Sequence, residues 1–400
     1  IASTPMKIQL NHSIVDIACG AFHSLAVTSD GNLFSWGCNE FGQLGVNDKV
    51  NRLYPTLIQT LQGSNVRKVS AGGNHSAAVL GGTTIDELGE DAKRPQIAVW
   101  GSNSEGQLGI GRQRNKMQIH PEIVKGELFK VFLPKGNSSK NEKKYEEKDV
   151  KPYDFEISLG TNHTMVLAME AVSKKAEYDT YLFSAGQNKN SQLGLGLRTV
   201  YEAKLRHVNE WEDFPKAYME STTSRERYPF ITLIAAGKNM SAAVVARKEL
   251  YMWGELIGIT TKRYIKPHKV LLNDAMPNKN NLSLAMHSIE CVDISLGHEH
   301  ALVVLKMNKN THKILSWGTS SYGRLGVGNI SKKKEAGEGD DAEDSPAEKD
   351  SASKKDYGPT EVSEHYLDDK STPHVQESFR DCDRVATGER QSFAVNRKTG

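Results

Sequence analysis

Gly20-Ala21-Phe22-His23-Ser24-Leu25-Ala26-Val27, followed by Asp30-Gly31, Leu33-Phe34-Ser35-Trp36-Gly37 and Gly42-Gln43-Leu44-Gly45, reads on its own as a β-hairpin with a glycine-rich tail. The phrase decides the fold because it returns. A second copy carries Gly72-Gly73-Asn74-His75-Ser76, Val99-Trp100-Gly101 and Gly106-Gln107-Leu108-Gly109. A third keeps Gly160-Thr161-Asn162-His163-Thr164, with Ala185-Gly186 for Trp-Gly and Ser191-Gln192-Leu193-Gly194 for the tetrapeptide. The fourth has Gly237-Lys238-Asn239-Met240-Ser241 and Trp253-Gly254; the fifth has Gly297-His298-Glu299-His300, Trp317-Gly318 and Gly323-Arg324-Leu325-Gly326. A half copy, Val385 to Val395 with Glu389-Arg390-Gln391, closes the chain where a third strand should begin. The steps Trp36–Gly42, Trp100–Gly106, Ala185–Ser191 and Trp317–Gly323 are all six residues, although the connections between landmarks vary. A fixed local interval within variable connections is the mark of a repeat array.

The repeats divide the chain, read as a single propeller domain over residues 1–400, into units at 14–63, 64–152, 153–229, 230–287, 288–378 and a partial 379–400. Insertions fall at 81–95, 126–152 and 331–372. The last carries Glu335-Ala336-Gly337-Glu338-Gly339-Asp340-Asp341 with almost no large apolar residue and reads as a disordered segment. Met6 to Leu10 alternates like one isolated strand and resembles the Pro55-Thr56-Leu57-Ile58 tail of the first unit, so the N-terminus reads as the end of an earlier one. Asp30-Gly31 predicts a two-residue hairpin turn with positive φ at both positions.

Composition excludes several classes. A formal net charge of +2 supplies no global field for nucleic acid or an anionic membrane. No apolar run approaches the roughly 18 residues of a membrane helix. Cys19, Cys38, Cys291 and Cys382 are scattered without a C-x-x-C pair, which argues against a zinc site or disulfide framework and for a reducing, intracellular compartment. The chain begins at Ile1 and reads as a fragment, so nuclear, cytoplasmic and organellar locations stay open.

Each unit offers about four short strands, a sheet with two apolar faces that cannot stabilise itself in water. Radial stacking of successive sheets buries both faces, and the expected fold is therefore all-β, a β-propeller; a linear β-solenoid would need shorter, more uniform coils. Small residues at Ala18, Ala71, Ala236 and Ser295 suit a crowded centre, while Trp36, Trp100, Trp253 and Trp317 are expected between neighbouring blades.

Gly-x-x-His-Ser, Asp-Gly, aromatic-x-Trp-Gly and Gly-Gln-Leu-Gly, in that order, resemble the repeat of the regulator of chromosome condensation (RCC1-like) family over nearly the whole chain outside the insertions. The resemblance implies a propeller, usually seven-bladed, with a last blade often completed from both ends. It also implies a founding activity of guanine-nucleotide exchange on the small GTPase Ran, alongside chromatin binding. Exchange members use the face bearing the Gly-x-x-His loops, with acidic and histidine side chains at or just before the loop histidine. At those places this chain has Phe22, Asn74, Asn162, Asn239, Glu299 and Arg390, preceded by Ala21, Gly73, Thr161, Lys238, His298 and Glu389; Glu299 and Glu389 are the carboxylates among them.

His23, His75, His163 and His300 invite a metal or general-base reading, but a histidine recurring once per unit at a turn reads as a local structural anchor. Met240 and Gln391 occupy its place elsewhere. No H-E-x-x-H, G-x-S-x-G or P-loop pattern is present, so no catalytic residue, metal or cofactor is expected. Three functions stay open. One is a non-catalytic recognition propeller for a protein partner, such as the substrate-binding part of a ubiquitin ligase. The others are an exchange factor for a Ran-like GTPase, and a chromatin or organelle scaffold. The recognition module is preferred, with its partner on the loop face at Phe22, Asn74, Asn162, Asn239, His298, Glu299 and Arg390. Phe22 and Arg390 belong to the residue types that dominate hot spots.

Overall fold

The computed structural model describes residues 7–8, 10–81, 95–111, 116–125, 153–173, 177–212, 230–256, 262–270, 289–307, 312–318, 360–361, 382–388 and 391–395. The fold is all-β, of the β-propeller class, with a single 3-10 turn at Gln59–Leu61 among the described residues. Two compact units divide the chain.

The first unit holds four antiparallel four-stranded sheets, each a meander in chain order. They are β1 to β4 (Ile14–Cys19, His23–Thr28, Leu33–Gly37, Arg52–Leu57) and β5 to β8 (Val66–Ala71, His75–Leu80, Gln96–Ser102, Met117–Ile123). Next come β9 to β12 (Tyr153–Leu159, His163–Ser173, Glu177–Gln187, Tyr201–His207) and β13 to β16 (Ile231–Ala236, Met240–Val245, Glu249–Glu255, Arg263–Val270). The second unit holds β17 to β20 (Glu290–Leu296, His300–Lys306, His312–Gly318, Thr360–Glu361) and a two-stranded sheet of β21 (Arg384–Thr387) and β22 (Ser392–Val395).

The second strand of each sheet explains the stacking. β6, His-Ser-Ala-Ala-Val-Leu, is buried along its whole length and reads as a continuous small-apolar run instead of an alternating one. Alternate residues serve different interfaces. Ala78 and Leu80 join Leu25, Val27, Leu33 and Trp100 between the first and second sheets. Ala77 and Val79 join Phe155, Val166 and Phe183 between the second and third. Met165, Leu167, Tyr251 and Trp253 fill the next interface. Each middle strand thus loses water from both faces, as stacked blades require.

The outer strands are bulged where they pass the tryptophan position, with register shifts at Ser35/Gly37, Val99/Gly101, Ser184/Gly186 and Met252/Gly254. Pro55, Pro121 and Pro267 stand at that step of β4, β8 and β16. A bulge with proline on an edge strand removes a ladder donor and bends the edge, which discourages pairing with another chain.

Three expectations need correction. Lys7, Ile8 and Leu10 are not in a strand, because the first sheet is already complete as β1 to β4 and this segment is not one of its members. At Asp30-Gly31 the positive φ falls on Gly31 alone (76°). Gly31 N–H donates to Thr28 O (2.9 Å) and Thr28 N–H to Asn32 O (3.0 Å), a three-residue loop with a glycine bulge. Asp30 sustains it by accepting from Thr28 Oγ1 and from Asn32 Nδ2 (2.7 Å). Trp36 is half-buried, whereas Trp100, Trp253 and Trp317 are fully buried. Each buried indole of the first unit packs on the sheet before its own, and Trp36 belongs to that unit's first sheet. The insertion at 126–152, most of 81–95, and Gly323 to Gly326 lie outside the described residues, as does 331–372 apart from Thr360–Glu361, which form β20 inside the segment expected to be disordered.

Candidate functional site: the Gly-x-x-His loop face

Each loop between the first two strands of a sheet is closed by one hydrogen bond. Gly20 N–H donates to His23 O, Gly72 to His75, Gly160 to His163 and Gly237 to Met240, all at 2.9 Å. Gly297 to His300 (2.8 Å) and Gly388 to Gln391 (2.9 Å) repeat it in the second unit. The turn therefore forms with Met or Gln in the histidine place. Glycine is required here by space: a Cβ on Gly20 would overlap both the His23 ring and the carbonyl of Gly72 in the next sheet.

The imidazoles reach across to the following sheet. His23 Nε2 lies 2.9 Å from Ser76 Oγ, His75 Nε2 3.1 Å from Thr164 Oγ1, and His163 Nε2 2.8 Å from Ser241 Oγ. Each hydroxyl donates its one proton to a glutamine carbonyl of the earlier sheet: Ser76 to Gln43 O (2.8 Å), Thr164 to Gln107 O (2.6 Å) and Ser241 to Gln192 O (2.8 Å). The hydroxyl must then accept from histidine, which fixes the Nε2–H tautomer. Trp100 and Trp253 Nε1 donate to the same carbonyls of Gln43 and Gln192, both at 2.9 Å. In the third sheet Ala185 stands where the indole would be. Burial pushes His23 down to about 4 and His75 and His163 to about 3, so all three are neutral near pH 7. Among the described residues no three His, Cys, Asp or Glu side chains form a metal-binding group.

Sequence reasoning missed a second set of supports. Asn39, Asn103 and Asn188 are buried and accept from Leu44, Leu108 and Leu193 N–H at 3.0, 3.1 and 3.2 Å, which shapes the Gly-Gln-Leu-Gly turn. The turn glutamines act likewise, with Gln43, Gln107 and Gln192 Oε1 accepting from Phe41, Glu105 and Asn190 N–H at 2.9 Å each. The available signal was an Asn three residues after the Trp or Ala of three repeats. Inner strands add further latches. Asp16 accepts from Val69 N–H (2.9 Å), Ser70 from Leu159 (3.1 Å) and Ser158 from Ala236 (2.9 Å). In the second unit Asp293 accepts from Val385 (2.9 Å) and Ser295 from Thr387 (3.0 Å).

These buried supports carry an outer layer. Phe22, Asn74, Asn162 and Asn239 occupy the same step of four successive sheets. The loops bearing them are joined in series, Ala21 N–H to Gly73 O (3.3 Å), Gly73 to Thr161 O (3.2 Å) and Thr161 to Gly237 O (3.1 Å). Phe22 is 73% exposed; the three asparagines are half-buried. Asn239 Nδ2 donates to Glu255 Oε2 (3.0 Å), while Asn74 takes a long contact from Gln43 Nε2 (3.5 Å). His298 and Glu299 are half-buried on the second unit, and His300 Nε2 bonds Gln391 O (3.2 Å) there. Glu389 and Arg390 lie outside the described residues.

Stacked four-stranded sheets latched through Gly-x-x-His loops define a repeat propeller with a multi-sheet loop face. Models of the regulator of chromosome condensation (RCC1) repeat match residues 30–79 and 14–43. RCC1-like repeats are thus present in the chain, matched by the family models over residues 14–79. It is 27% identical over 328 residues to the ultraviolet-B receptor UVR8 of Arabidopsis thaliana, covering 81% of this chain and 58% of that protein. It is 31% identical over 198 residues to the human probable E3 ubiquitin-protein ligase HERC6, covering 48% of this chain and 15% of that protein. Both matches thus span less than two thirds of the relative's own length. Among solved structures, human WBSCR16 is similar in fold, with a TM-score of 0.51, 15% identity, and coverage of 98% of this chain and 88% of that one. No helix among the described residues is long and apolar enough to cross a membrane.

Proposed function

We propose that the chain is a protein-recognition propeller whose loop face holds a partner, and that it binds without chemistry of its own. The observation that carries this is the exposed Phe22 at the head of a row of half-buried asparagines on a hydrogen-bonded series of loops. The repeated histidines are committed as neutral structural donors, while the positions one residue earlier are rigidly presented and chemically varied. An apolar anchor beside amides is a surface suited to a peptide or protein. The likeness to a probable ubiquitin-protein ligase supports a substrate-recognition role within a larger protein, with that part of the proposal resting on the relative alone.

The alternative is nucleotide exchange on a Ran-like GTPase. The resemblance places carboxylates and histidines at the loop positions, and the first unit instead presents Phe22, Asn74, Asn162 and Asn239, which favours recognition. A nucleotide-release assay separates the two. The proposal expects no acceleration of labelled GDP release from a Ran-type GTPase, and clear acceleration overturns it.

A further inference from the structure

We infer that the seam between the third and fourth sheets is a docking site for an acidic segment of a protein partner. Equivalent positions of different seams carry the argument. Lys189 stands where the first sheet has Glu40 and the second has Ser104. Arg263, which opens β16, stands where β8 opens with Met117 and β12 with Tyr201. Lys238 stands where the earlier loops have Ala21, Gly73 and Thr161.

Two of these cations are joined directly. Arg263 Nη1 donates to Lys189 O (2.9 Å), and Gly196 N–H donates to Ile265 O (2.9 Å), which fixes the segment bearing Arg198 against the same strand. Lys189, Arg198 and Arg263 are exposed and Lys238 is half-buried. None of the four is ion-paired among the described residues. Other cations of the same sheets are paired: Lys266 with Glu210 (2.5 Å), Lys269 with Glu249 (2.6 Å) and Arg206 with Glu202 (3.0 Å). One carboxylate, Glu255, stands cross-strand from Arg263 at this loop end, and it accepts from Asn239 Nδ2 (3.0 Å) without pairing with any of the four cations.

An acidic protein segment fits better than nucleic acid. The whole chain is nearly neutral, at +2, so the local feature is these four cations without an ion pair at one seam. Beside it run Asn162 and Asn239, side-chain amides that match a peptide backbone, and beyond them the apolar anchor Phe22. An extended segment lying across these sheets would meet an apolar end, an amide middle and a basic end. This inference rests on the loop-face reading above and adds the partner's chemistry.

The test is fluorescence anisotropy on the full chain with a labelled Asp/Glu-rich peptide containing one leucine. A thymidine oligonucleotide of equal charge is the second probe. Lys189→Ser with Arg263→Ser is expected to weaken peptide binding about tenfold, Arg198→Glu by a similar factor, and Glu40→Ser at the first seam not at all. Unchanged binding in both basic-seam variants, with circular dichroism showing intact folding, overturns the inference. So does oligonucleotide binding as tight as the peptide's and lost in the same variants. A photo-crosslinking residue at position 22 separates the two levels. Adducts from position 22 that survive the seam substitutions sink the acidic partner and leave the loop face standing. No adducts from position 22 or position 162 sink the loop face itself.

Discussion

The seam between the first and second sheets and the seam between the third and fourth have the same interior and different exteriors. Inside, His23–Ser76–Gln43–Trp100 and His163–Ser241–Gln192–Trp253 are the same four-part junction, with matching distances within 0.1 Å at each bond. Outside, Phe22, Glu40 and Met117 face Asn162, Lys189 and Arg263 at corresponding steps. The interior repeats because each junction must satisfy the same buried donors and acceptors. Residues that differ are those on which stacking places no demand, and any partner must be distinguished there.

The first way to break the comparison is to remove a shared interior part. Trp253→Ala and Trp100→Ala should each destabilise the first unit by about 3–5 kcal/mol, through the cavity and the freed glutamine carbonyl. Denaturant unfolding followed by tryptophan fluorescence measures it; a loss below about 1 kcal/mol would show that the indoles are not the shared fastening.

Acid comes second. His23, His75 and His163 have folded pKa values of about 4, 3 and 3, below the unfolded value near 6.5. Protonation then favours the unfolded chain. Their stabilisation is fully present above pH 6.5 and is lost progressively as pH falls from there through about 4 to 3, up to about a few kcal/mol per histidine. The three should not act independently, because charge on His163 or His23 further opposes protonation of His75. His75→Gln, a residue of the half repeat's own choosing at Gln391, should flatten the dependence of stability on pH between 4 and 6.5. An identical pH profile in wild type and variant would exclude this origin for acid sensitivity.

A smaller change sharpens the contrast within the turns. Ser191 holds φ 63° where Gly42 and Gly106 hold 74° and 77°. Ser191→Gly should stabilise by about 1 kcal/mol by relieving the left-handed strain. Gly106→Ser should destabilise by more, since its Cβ would lie 2.7 Å from the Ala203 Cα. Melting temperatures moving in the same direction for both variants would refute the assignment.

Smallest in stability is the exterior itself. Phe22→Ala should shift the unfolding free energy by no more than about 0.5 kcal/mol. Its effect belongs to crosslinking and capture on the loop face. A large stability loss would mean that Phe22 is a packing residue.

Much of this was legible in the sequence. The fixed six-residue step from Trp to the turn, and the Gly-x-x-His phrase, mark the sheets because stacking reuses the same solution at every interface. Trp100 and Trp253 are buried against the preceding sheet while Trp36 is half-buried, a difference the motif does not show because burial needs a neighbour that a local motif cannot supply. The hydroxyls of Ser76, Thr164 and Ser241 stood in the motif, but their task depends on a carbonyl more than thirty residues earlier in chain order. Asn39, Asn103 and Asn188 were passed over because polar residues in a loop look ordinary until they are found buried. The basic seam is invisible in the totals, since Lys189 and Arg263 are 74 residues apart.

The direction of the hydrogen bonds has one more consequence. Each of the first three sheets offers a histidine donor and a glutamine acceptor on its forward side, and the second, third and fourth receive with a hydroxyl on the rear. Deleting residues 64–152 as a whole would bring His23 and Gln43 opposite Thr164, the same connector fitting the same socket. The junction is indifferent to how many parts are joined. Modules could be lost, gained or exchanged in such an array without rewriting its fastenings, which leaves each module's outward face free to diverge by itself.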